Sequence, residues 1–147
     1  MGTRSNIGIR NIDQTITCIN THWDGYPKHN GTILLENYNS VGVVNQLMAL
    51  GDLSVLGAKL YSDVSKQHTF VTPQPDVCVA YGRDRGEDNT HSVCYTSLSQ
   101  YEHNMDGDMK DIEYQYLFDN DQSKPDGIYN NKVELVDIEK LTGFKFK

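Results

Sequence analysis

His22-Trp23-Asp24-Gly25-Tyr26-Pro27 packs an imidazole, an indole, a carboxylate and a phenol into five residues. An Asp-Gly turn there folds His22 and Tyr26 toward one another, giving donors, an acceptor and a stacking plane in one place. Such a site holds a planar ligand or a nucleobase between rings. The same residues also fit a plain turn, with Trp23 and Tyr26 plugging the core and Asp24 capping backbone amides.

A second constellation is Tyr81-Gly82-Arg83-Asp84-Arg85-Gly86-Glu87-Asp88. Read as an extended segment, it places the Arg83 and Arg85 guanidinium groups on one face and Asp84 on the other. Two such forks suit a phosphate or a carboxylate, because each donates parallel N–H groups. Gly82 and Gly86 let the backbone bend closely around that group. The bland alternative is a surface hairpin tip whose Arg and Asp residues pair with each other for little energy. Together the two segments nominate His22, Trp23, Asp24, Tyr26, Tyr81, Arg83, Arg85 and Glu87 as ligand-binding residues.

A third feature is acidic. Residues 101–127 hold eight acids against two bases, which accounts for most of the chain's net charge of −7. With tyrosines interleaved, Tyr101, Asp106, Asp108, Asp111 and Tyr114 form a candidate docking face for a basic protein, competing there with nucleic acid. The same run also fits a solvated surface. Asp119-Asn120-Asp121-Gln122-Ser123 is not a calcium loop, since Lys124 stands where glycine belongs and Asn130 where the bidentate Glu belongs.

Catalytic templates are thin: the chain has no P-loop, no Gly-x-Ser-x-Gly and no His-Glu-x-x-His. A metal or acid–base site from His22, Asp24, His91 and Glu87 requires the two loops to meet, with Asp24 orienting His22 in the acid–base version. That would make a nucleotide or phosphate-ester hydrolase or transferase. No metal and no cofactor is expected. Cys18, Cys78 and Cys94 are an odd count without Cys-x-x-Cys spacing, read as reduced structural thiols, two of them in strands.

The elements that must position these residues follow from periodicity. Ser5–Arg10 and Thr15–Asn20 alternate around a turn and predict a hairpin. Ile33, Leu34, Leu35 and Tyr38 predict a short helix. Ser40 caps a second helix, whose Val43, Val44, Leu47 and Met48 form an apolar stripe ending at Gly51. Lys59–Gln74 is weakly patterned and reads as a long surface connection. Val77–Tyr81 predicts a strand, Arg83–Thr90 a charged loop, Ser92–Tyr95 its return strand and Ser97–Asn104 a short helix. Ile112–Phe118 alternates as a strand, Asp119–Gly127 reads as a turn, and Ile128–Ile138 holds one or two more strands. The sum is α+β: an antiparallel sheet with two short helices packed on one face.

At 147 residues the chain is one domain, 1–147, large enough for a core without disulfides or metal. Its 22% charged and 37% hydrophobic residues are globular rather than disordered proportions. A pI near 5.0 opposes general nucleic-acid binding. No apolar run approaches the ~20 residues of a membrane span, and no secretory leader or myristoylation pattern is recognisable, Asn6 standing where Ser or Thr belongs. A soluble, cytosolic protein is expected.

The Thr3-Arg4-Ser5 opening, the His22–Pro27 loop, Leu34-Leu35-x-x-Tyr38, Leu50-Gly51-Asp52-Leu53-Ser54 and Tyr81–Glu87 together resemble a family of small accessory proteins of large virulent tailed bacteriophages. The resemblance covers residues 3–90 and fades through the acidic third. It implies expression in the cytoplasm of an infected host bacterium, beside genes that inactivate host defences, and it supplies no mechanism. The expected function is therefore anti-defence: binding and neutralising a host protein or an anionic small molecule such as a nucleotide signal. A sponge of that kind commonly closes its pocket in a homo-oligomer.

Overall fold

The computed structural model describes residues 2–38, 40–103, 112–119 and 133–135. Strands β1 (Arg4–Arg10) and β2 (Ile16–Thr21) form the expected hairpin, pairing from Ser5–Thr21 to Arg10–Ile16. A short π-helical turn (Pro27–Gly31) leads into α1 (Thr32–Asn37) and then α2 (Val41–Leu50). The Ser40 side chain accepts from the Val43 N–H at the start of α2, and Gly51 ends it at φ 77°, the left-handed conformation that favours glycine. Strands β3 (Leu53–Val55) and β4 (Val79–Ala80) bracket a connection of 59–76, and α3 (Tyr81–Arg85) follows β4 directly. Then come β5 (Val93–Tyr95), α4 (Leu98–His103), β6 (Ile112–Asp119) and β7 (Val133–Leu135).

The fold is α+β, but its sheet is mixed rather than antiparallel. The order is β4-β3-β2-β1-β6-β7, with β5 also lying along β2. β1 pairs in parallel with β6 over its whole length, and Thr21 of β2 makes the parallel link to Leu53 of β3. β5 returns to the Ile16–Cys18 end of β2 rather than to β4. Central β1 is buried along Ser5–Ile9, as a strand covered on both faces must be.

One face carries the main core: Ile7, Ile9, Ile19, Tyr116 and Phe118 packed under Leu34, Val44, Leu47 and Met48 of the first two helices and under Tyr38, which follows α1. On the other, Ile16, Cys18 and Leu117 pack with Tyr101 from α4. Helices α1 and α2 thus share a face, and α4 covers the reverse. Cys18 and Cys78 are buried and Cys94 is exposed, all three as free thiols. None of the described helices is long and apolar enough to cross a membrane. The turn expected at Asp119–Gly127 lies almost wholly outside the described residues.

Candidate functional site

The 22–27 loop is pinned from beneath. Its backbone continues the parallel pairing, His22 N–H donating to Leu53 O at 3.0 Å and Trp23 N–H to Ser54 O at 3.1 Å. Asp24 takes a left-handed backbone at φ 57°. Gly25 then comes so close to β1 that a Cβ there would stand 2.7 Å from both Ser5 Cβ and Thr3 O. The Tyr116 hydroxyl donates to Gly25 O, and Gly25 N–H donates to Thr3 O. Below lies a buried polar cluster. Ser5 and Thr21 share a hydroxyl hydrogen bond, Asn30 Nδ2 donates to Thr21 Oγ1 at 3.1 Å, and Asn30 Oδ1 meets His29 Nδ1 at 2.7 Å. Such a network is costly to disturb, because each lost partner leaves a buried polar atom unpaired.

Tyr81–Arg85 is helical, which overturns the extended reading of Arg83 and Arg85. Asp84 Oδ2 accepts from Ala80 N–H at 2.8 Å, Tyr81 N–H donates to Asp52 O, and Gly86 closes α3 with φ 74°. At ~100° per residue, positions 83 and 85 project to nearly opposite sides of a helix, so the two guanidinium groups do not form one anion fork. Arg83 turns inward, donating to Leu60 O, to Cys78 O at 2.6 Å and to both Asp84 oxygens at 3.0 Å. Arg85 stays outside with its Cζ 5.0 Å from the Phe70 ring centre and its Nε 3.4 Å from Glu87.

The two segments meet. His22 Nδ1 and the Tyr81 hydroxyl are hydrogen-bonded at 3.0 Å. The His22 ring stacks on Trp23 at 4.6 Å and 12°, while Tyr81 packs on Phe70 with centroids 5.5 Å apart. The contacts thus run Trp23–His22–Tyr81–Phe70–Arg85, an unbroken row of rings closed by a cation. Trp23, the chain's one tryptophan, is 41% exposed at its open end. Partial burial and the Arg4 charge hold the His22 imidazole below its ordinary pKa, so the neutral ring faces the site near pH 7.

Other expected members lie elsewhere. Tyr26 does not fold toward His22; its ring tilts against His29 at 6.1 Å. The hydrogen bond at His22 Nδ1 goes to Tyr81, not to Asp24, and the charge of His91 acts on Asp52. No group of three metal-ligating side chains occurs among the described residues. The docking face fails at Tyr101, which is fully buried and donates to Tyr116 O at 2.8 Å. Tyr114 packs against the main core on the opposite side of the sheet from Tyr101, so the pair does not share a surface. Asp106, Asp108 and Asp111 lie outside the described residues.

The sequence reading missed Phe70 and the buried pair that seats it. His68 Nδ1 accepts from Gln74 N–H, and its Nε2 lies 3.5 Å from Asp84 Oδ2, with both side chains almost wholly buried. This ties the 59–76 connection to α3 two residues before Phe70. The available signal was an aromatic and a histidine close together in an otherwise polar connection. Compared with known proteins, the chain matches no family model, no curated protein and no solved structure.

Proposed function

We propose that the protein is a phage accessory protein that binds and sequesters a small anionic ligand of nucleotide class inside an infected bacterium, neutralising a host signal. The observation that carries this reading is the His22–Tyr81 hydrogen bond, because it joins the two segments by which the chain resembles that phage family. The row it completes has the parts a nucleotide needs. An exposed indole backed by an imidazole offers a stacking plane, worth about 1–3 kcal/mol per base. Arg85, oriented on Phe70, offers charge-assisted hydrogen bonds to a phosphate.

Sequestration rather than turnover is favoured by what surrounds His22. A general base needs a group that orients its ring for proton transfer; here the orienting partner is a tyrosine, and Asp24 is not bonded to Nδ1. The test uses Trp23 as a built-in fluorophore. Adding nucleotides should change its emission saturably, and denaturing the saturated protein should return the ligand chemically unchanged. Recovery of a hydrolysed or transferred product would establish the hydrolase or transferase reading instead.

A further inference from the structure

We infer that Asn6 and Gln115 together bind one buried water molecule, a polar bridge across the parallel seam between β1 and β6. The two residues are register partners, and Asn20 of β2 is the partner of Asn6 on its other side. Ile7 and Tyr116 belong to the main core, whereas Cys18 and Leu117 pack with Tyr101 of α4. Strand alternation therefore sets Asn20, Asn6 and Gln115 side by side on the α4 face. Asn6 and Gln115 are each 0% exposed.

Backbone carbonyls, which can only accept, fix which way the three amides face. Asn20 Nδ2 donates to Ser5 O and to Asn6 Oδ1, both at 3.3 Å. Gln115 Nε2 donates to Tyr101 O at 2.8 Å. Asn6 Nδ2, a donor, and Gln115 Oε1, an acceptor, are then buried without a hydrogen-bond partner among the described residues. Their opposite senses select the ligand. The Gln115 oxygen repels an anion, and the Asn6 N–H repels a cation. A group that accepts from one and donates to the other satisfies both, and water is the smallest that does so. Complete burial of both side chains favours that smallest group. Bridged by water, the hydrogen bonds run from Asn20 on β2 through β1 and β6 to Tyr101 on α4. The bridge also bears on the candidate site. On the opposite face the chain neighbours Ser5 and Tyr116 meet Gly25 of the 22–27 loop, and a one-residue slip of β6 would carry Tyr116 off that face.

A crystal structure of the full chain, at a resolution that shows ordered water, tests this. One solvent peak should stand about 2.7–3.2 Å from both Asn6 Nδ2 and Gln115 Oε1. Gln115→Met, close in size but without the acceptor, should lose that peak. Because the variant also gives up the bond to Tyr101 O, the wild-type protein is read in solution as well. There the Asn6 side-chain amide protons should show cross-relaxation with a long-lived water. A direct bond between Asn6 Nδ2 and Gln115 Oε1, or another protein group bonded to either atom in place of water, overturns the inference. So does a solvent peak that persists in Gln115→Met, or wild-type amide protons that show no long-lived water.

Discussion

His22 and Tyr81 stand 59 residues apart in the chain and share a hydrogen bond of 3.0 Å. Each is held by backbone bonds to the same short stretch around β3: His22 N–H donates to Leu53 O, and Tyr81 N–H donates to Asp52 O. Neighbouring residues of one strand end therefore set the spacing between the two loops, and the hydroxyl–imidazole bond completes it.

Tyr81→Phe removes that bond and keeps the ring that packs on Phe70. The expected loss of stability is about 0.5–1.5 kcal/mol, the net worth of one such hydrogen bond. Urea denaturation measures it. Ligand affinity should fall further than stability does, because His22 and Trp23 lose their alignment with the rest of the row.

The pH dependence of His22 follows from its depressed folded-state pKa, caused by burial and by the Arg4 charge. Below the ordinary histidine value of 6.5 the unfolded chain takes up a proton that the folded ring resists. Stability from this residue is thus fully present above pH 6.5 and is lost as pH falls through the folded-state pKa. Imidazole ¹⁵N shifts should place the His22 titration below that of an unfolded-peptide histidine. Replacing His22 with Asn should flatten the stability curve over the same window.

Asp84 anchors α3 and the 59–76 connection together. Burial alone would raise its carboxyl pKa. The Arg83 hydrogen bonds, the Ala80 N–H and the charges of Arg83 and His68 outweigh that, and the result lies below the ordinary 3.8. The stabilisation is present above pH 3.8 and disappears as pH falls through the lowered value. Asp84→Asn should cost about 1–3 kcal/mol in denaturant, since Arg83 is left with an uncompensated charge. Amide hydrogen exchange should quicken around Phe70 in the same variant.

What the sequence made legible was local. The hairpin and α2 rest on alternation, the Ser40 cap and the Gly51 stop, each decided within a few residues, and both are observed. The parallel β1–β6 pairing joins segments about a hundred residues apart, and no local pattern encodes that choice. Helix α3 was hidden because Gly82 and its charged neighbours read as loop; the Asp84 bond to Ala80 N–H and the Arg83 tethers hold it by tertiary contacts that propensity does not register. The row of rings was half legible: His22, Trp23, Tyr81 and Arg85 stand out in the sequence and belong to it, Arg83 supports it, and Phe70 arrives from a connection with no periodicity.

Gly25→Ala probes whether the pinned loop matters. A methyl group there meets Ser5 Cβ and Thr3 O at 2.7 Å, and neither belongs to a flexible chain end that can swing away. The loop must lift, losing the Tyr116 hydrogen bond to Gly25 O. A destabilisation of about 1–3 kcal/mol is expected, together with loss of the Trp23–His22 stack, visible as a red shift in tryptophan emission without ligand.

Native mass spectrometry of the tagged protein recovered from phage-infected cells tests most directly whether the two loops form one sequestering site. The wild-type protein should carry an extra mass of a few hundred daltons, released unchanged on denaturation, and a protein in which both Tyr81→Phe and Arg85→Ala are made should come out bare. Wild-type protein that comes out bare, or that carries a host polypeptide and no small molecule, would contradict the account.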